Sequence, residues 1–149
     1  MMNQYDEYQK HMRYKYDSYA FMLLLVLVFA NFALTFFTDF QWADPVGLEY
    51  LMLCFIAVAY SVLMYVYRGA YFTKRQNGKL YAGLFFSVGL LNLYTSFSPS
   101  SPAIIDDGKL TFNVVMPFAG LLFILISLSY VVKLLSEKRK DQQMDDSKD

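Results

Sequence analysis

Four long uncharged stretches, basic residues confined to alternate connecting segments, and aromatic residues gathered at the ends of the stretches predict the fold. The expected class is all-α: a four-transmembrane-helix bundle, N-in/C-in, with an amphipathic N-terminal helix. Composition agrees. Apolar residues make up 56% of the chain and charged residues 17%, whereas soluble domains carry about 25% charged residues. The formal net charge is zero, yet the charges fall in blocks with long empty intervals between them.

The first block, residues 1–17, is read as a cytoplasmic amphipathic segment. Tyr5, Tyr8, Met12, Tyr16 and Tyr19 recur at spacings of three and four, which places them on one side of a helix, with Asp6, Gln9, Lys10, Arg13 and Asp17 on the other faces. The expectation is a helix lying on the inner membrane surface or docking on a cytoplasmic partner. Tyr5, Tyr8, Met12 and Tyr16 are the candidate partner-binding residues. The plainer alternative is an N-terminal extension of the first span, braced by pairs such as Asp6–Lys10 and Asp17–Arg13.

A helix needs about 20 apolar residues to cross a hydrocarbon core of roughly 30 Å. Residues 18–38 supply the first such run, and only Asn31 and Thr35 interrupt its apolar surface. A helix in water must show a polar face, so a soluble bundle is the poorer account. The run is too long for the apolar region of a signal peptide and no A-x-A-like site follows, which favours a retained helix. Residues 50–67 form the second span. The third uncharged run begins at residue 80, and Pro99 and Pro102 confine its helical part to residues 80–97. The fourth lies within uncharged residues 110–132, giving a span at about 113–135. Together the four spans define a transmembrane domain over residues 18–135, followed by a charged cytoplasmic tail at 136–149.

Orientation follows from the basic residues. Lys10, Arg13 and Lys15 precede the first span; Arg68, Lys74, Arg75 and Lys79 join the second to the third; Lys133, Lys138, Arg139, Lys140 and Lys148 follow the fourth. The other two loops hold only Lys109. Short basic segments stay cytoplasmic, which puts both termini and the middle loop inside a cell membrane. Tyr19, Trp42, Tyr50, Tyr67, Tyr71, Tyr81, Tyr94 and Tyr130 near the span ends suit the interfaces, and Lys133 can snorkel from the inner end of span four. Arg68-Gly69 and Asn77-Gly78 are turn signals bounding the middle loop. Asp107-Gly108 favours a small hairpin turn in the last outer loop.

The outer loops carry Asp39, Asp44, Glu49, Asp106 and Asp107 against Lys109. The sharper reading gathers these acids into a patch for a cation or a cationic peptide. The plainer one leaves them as a solvated outer face. Asp-x-Asp-x-Asp-Gly calcium spacing is absent.

The spans themselves are chemically quiet. They contain Asn31, Cys54, Ser61, Ser87, Asn92, Thr95, Ser127 and Ser129, but no ionisable residue well inside. A serine or cysteine without a base is not a nucleophile, and proton-coupled carriers use intramembrane carboxylates. Cys54 and His11 are each single, so paired-thiol chemistry and a zinc cluster are not expected. The chain is therefore expected to be neither an enzyme nor a cofactor protein. Asn31, Gly83, Ser87 and Asn92 are candidate helix-packing residues, as are Ala57 and Ser61, because small residues let helices approach and Asn can bond between them. A homodimer face is the alternative use of the same residues. No nucleotide-binding or nucleic-acid-recognition motif is visible.

The N-terminal Asp6-Glu7-Tyr8-Gln9 ahead of a first span resembles small bacterial four-helix membrane proteins of uncharacterised families. So does a second span entered by Glu49 and left through Tyr67-Arg68-Gly69. The resemblance covers about the first 80 residues. It implies a bacterial cytoplasmic membrane and a regulatory or self-protection role, and carries over no functional residue. The expected function is that of a partner-binding or regulatory membrane subunit whose partners are the lipid bilayer and a protein in the membrane or cytoplasm. The alternative is an immunity or transport-related protein acting at its acidic outer face.

Overall fold

The structure, a computed structural model, describes residues 5–73, 76–99 and 101–146. Lys74, Arg75 and Lys148 of the inner basic segments lie outside the described residues, as does the side chain of Lys140. The chain is all-helical: α1 (Glu7–Thr38), α2 (Val46–Tyr67), α3 (Gly78–Ser96) and α4 (Val115–Asp146), with a two-stranded hairpin of β1 (Ile105–Asp106) and β2 (Lys109–Leu110) and one 3-10 turn between α3 and α4.

Each boundary has a local cause. α1 opens on a capping box, in which the Asp6 carboxylate accepts from the Gln9 N–H at 2.8 Å and the Asp6 N–H donates to Gln9 Oε1 at 3.3 Å. It closes on Asp39 in the left-handed region at φ 51°. α2 ends in a Schellman motif: Gly69 takes φ 72°, its N–H donates to the Val66 carbonyl, and the Ala70 N–H reaches back to the Tyr65 carbonyl at 2.7 Å. The Asn77 side chain accepts from the Leu80 N–H and caps α3. Asp107 and Gly108 both have positive φ and close the hairpin with Ile105 opposite Leu110, as a type I′ turn requires. The expected hairpin turn and the Arg68-Gly69 turn are thus present.

The expected separate N-terminal helix is not. Residues 7–38 form one continuous helix, about 48 Å long at 1.5 Å per residue. An aromatic stripe at helical spacing suits an interfacial helix and a docked extension equally well, and the capping box at Asp6 starts the helix early enough to join the span. The described part of the charged tail is helical, since α4 runs on through Asp146.

Among the described residues, three helical stretches are long and apolar enough to cross a membrane: Glu7–Thr38, Val46–Tyr67 and Phe112–Arg139. α3 is not among them. It has 19 residues, starts on Gly78-Lys79, carries Asn92 and ends Tyr94-Thr95-Ser96, so its polar ends dilute a short apolar centre.

Consecutive helices run in opposite directions. The start of α1 meets residues 69–72 after α2, whereas Asn31, near its end, meets Glu49 at the start of α2. α3 lies antiparallel to α4 along its whole length: Gly78 abuts the Tyr130 ring, Gly89 abuts Gly120, and Thr95 and Ser96 face Asn113 and Val115. The extensive pairings are α1 with α2, α2 with α4 and α4 with α3, which leaves α1 and α3 on the flanks of a row. The buried cluster of Ala43, Leu48 and Met52 sits at one end, packed by Trp42, Phe55, Val114 and Phe118. Elsewhere the apolar surface faces outward. Phe29, Phe36 and Phe37 on α1 are 68%, 69% and 79% exposed, a surface that suits lipid rather than water.

Candidate functional site

The helix directions collect the described charges at two ends. Lys10, Arg13, Lys15, Arg68, Lys79, Lys133, Lys138 and Arg139 stand at one; Asp39, Asp44, Asp106 and Asp107 stand at the other with Lys109.

At the basic end the first turns of α1 clamp the α2–α3 connection. Gln9, 7% exposed, donates from Nε2 to the Gly69 and Phe72 carbonyls, both at 3.0 Å. Arg13 donates to the Ala70 carbonyl at 2.9 Å and to the Tyr71 carbonyl at 3.3 Å. Four successive carbonyls that leave a helix without strand partners are thereby satisfied. Arg13 also lies over the Tyr5 ring at 3.8 Å and faces Tyr65 at 5.5 Å. Tyr65 donates its hydroxyl proton to Asp17, and the Tyr16 hydroxyl accepts from Arg68 Nε at 3.0 Å. Burial pushes the Tyr71 phenol up, against the opposing pull of the Arg13 guanidinium.

The candidate partner-binding stripe is therefore divided. Tyr16 is buried, edge-on to Tyr19 and Tyr60. Tyr5 is half-buried under Arg13, and Met12 is half-buried. Of these four only Tyr8 is exposed, as is Tyr19 further along the stripe. As a contiguous external surface the stripe does not exist: the helix turns most of it toward its own chain. Arg13 is committed to carbonyls and Asp17 to Tyr65, which is a different bracing from the anticipated Asp17–Arg13 pair.

At the acidic end the two loops converge. Ala43 bridges Leu110 in parallel, with Leu110 N–H donating to the Trp42 carbonyl at 2.9 Å and Asp44 N–H to the Leu110 carbonyl at 2.8 Å. Lys109 donates to Gln41 Oε1 at 3.1 Å. Glu49 does not belong to a solvated patch. It is 1% exposed, with Oε1 accepting from the Trp42 N–H (2.8 Å) and Ala43 N–H (3.3 Å), and Oε2 from Asn31 Nδ2 (2.9 Å). Asn31 Oδ1 in turn accepts from the Trp42 indole at 2.6 Å. A buried carboxylate costs less when several donors surround it and when it occupies the first turn of a helix, and both conditions hold here. Asp39, Asp44, Asp106 and Asp107 remain exposed. Among the described residues no three His, Cys, Asp or Glu gather as metal ligands.

The packing candidates divide too. Asn31 is buried in the network just described. Asn92 lies at the α3–α4 contact, where its Cβ is close to Gly120. Gly83 and Ser87 are exposed, and open space surrounds Gly83. The close approach instead lies at Gly89, where an added Cβ would come within 2.8 Å of the Gly120 carbonyl oxygen. Spacing within one helix cannot reveal a glycine pair split between two. Glu49 carried one usable signal, an acid in the first turn after Pro45, and Asn31 carried another as a lone amide in an apolar span; nothing in the sequence paired the two with Trp42.

These features describe an all-helical chain with helices apolar enough to cross a membrane, in which the buried Gln9, Asn31 and Glu49 help to close the two ends. No protein-family model matches the chain, and neither a similar curated protein nor a similar solved structure was found.

Proposed function

We propose that the chain is a non-enzymatic membrane subunit of the bacterial cytoplasmic membrane. It crosses the bilayer four times with both termini inside, and it binds a regulatory or membrane-complex partner at its basic end. One observation carries the reading. α1 and α4, each of 32 residues, exceed the roughly 20 needed for the hydrocarbon core, and both have their surplus at the basic end. That end therefore stands clear of the membrane, with the first turns of α1 clamped onto the α2–α3 connection by Gln9 and Arg13.

A fourth crossing is supported by α3 lying beside α4 from Gly78 to Ser96. Inward placement of the basic end is supported by the distribution of Lys and Arg. The burial of Glu49 in a closed network weakens the case for chemistry or transport at the acidic face.

The test is co-purification from native membranes. Truncation after Glu137 is expected to remove the bound partner while leaving the thermal unfolding of the helical body unchanged. Identical co-purification by the truncated and full chains would refute the reading.

A further inference from the structure

Beside the clamp, α1, α2 and α4 enclose a cleft of about 170 Å³ lined by Tyr8, Tyr67, Arg68, Lys133, Ser136 and Glu137. A water molecule occupies roughly 30 Å³ of the liquid, so the cleft has room for a tetrahedral anion. The Arg68 guanidinium is held through Nε by the Tyr16 hydroxyl, and its two terminal NH2 groups donate to nothing among the described residues. The Lys133 ammonium is packed against Gly69, close to where a Cβ would stand at that residue. Gly69 is thus needed both for its positive φ and for this approach. Glu137 lies 3.6 Å from Lys133, so two cations and one anion leave a single positive charge. Tyr8 and Ser136 add hydroxyl donors.

We propose that this cleft binds a singly charged phosphate group, with the Arg68 fork and the Lys133 ammonium as its principal ligands. Planar guanidinium forks match phosphate oxygens, and ammonium groups add a point charge. The level of the cleft suits a lipid phosphodiester. α2 is about 33 Å long, close to the core thickness, so Arg68 at its end lies at headgroup depth. A soluble phosphodiester offers the same chemistry. The lipid source rests on the membrane reading above. The partner reading is tested with a different variant, so either can fail alone.

The experiment uses the full chain in a maltoside detergent, which carries no phosphate. Unfolding is followed with phosphatidylglycerol, with its soluble deacylated headgroup glycerophosphoglycerol, or with neither. Phosphatidylglycerol is expected to raise the midpoint by about 4 °C at saturation. Arg68→Gln and Lys133→Gln should each weaken the effect about tenfold, Glu137→Gln should strengthen it, and Lys79→Gln, a cation of the same end outside the cleft, should leave it unchanged. A rise with glycerophosphoglycerol alone supports the site and assigns it to a solute. No rise with either source, or a lipid effect that survives both Arg68→Gln and Lys133→Gln, overturns the proposal. So does an effect that Lys79→Gln removes equally. If Arg68→Gln does not fold, Lys133→Gln and the charge-preserving Arg68→Lys carry the comparison.

Discussion

The two ends of this molecule solve one problem with opposite chemistry. At the acidic end the chain between α1 and α2 offers backbone N–H groups at Trp42 and Ala43, and a buried carboxylate, Glu49, accepts from both. At the basic end the chain after α2 offers the carbonyls of Gly69, Ala70, Tyr71 and Phe72, and Gln9 and Arg13 donate to all four. Near a membrane, unpaired backbone groups are expensive. An acid thus closes the loop at one end as an acceptor, and an amide and a guanidinium close it at the other as donors. The difference lies in burial. Glu49 is sealed from solvent, whereas the clamp at the basic end is part-buried and sits among exposed charge.

That contrast predicts unequal costs. Glu49→Ala should be the most damaging single change, because it strands three donors, two of them buried; a loss of about 3 kcal/mol is expected from thermal or denaturant unfolding in detergent. Glu49→Gln should cost less, since one carboxamide oxygen still accepts. Arg13→Ala removes two hydrogen bonds and a ring contact from a wetter site, and about 2 kcal/mol is expected, with hydrogen exchange quickening in residues 69–72 before the rest. Replacing Asp39, Asp106 and Asp107 together by Asn should change stability by under about 0.5 kcal/mol. Equal losses from this triple change and from Glu49→Ala would break the distinction between the sealed acid and its exposed neighbours.

Much of this was legible in the sequence. Residues 18–38, 50–67 and 110–132 mark α1, α2 and the apolar part of α4 because an uncharged run of that length has few other uses. Arg68-Gly69 and Asp107-Gly108 mark turns because the positive φ that each turn needs is strained for most residues. The division of labour among like residues was not legible. Five outer acids look alike in the chain, and only Glu49 meets Asn31 and Trp42 across a fold. The Tyr5–Tyr16 stripe has the spacing of any docked helix and does not say what it docks on. Gly83 and Ser87 have the spacing of a packing motif, yet the contact is made by Gly89 with a glycine 31 positions further on.

The separation of the two ends by a membrane, with α3 crossing it, is the central claim. Single cysteines placed by Gln76→Cys, Asp107→Cys and Gln142→Cys in a Cys54→Ser background test it directly with a membrane-impermeant maleimide on intact cells. The account predicts labelling at position 107 from outside and at positions 76 and 142 only after permeabilisation. Labelling of positions 76 and 107 from the same side would show that α3 does not cross, and would contradict the account.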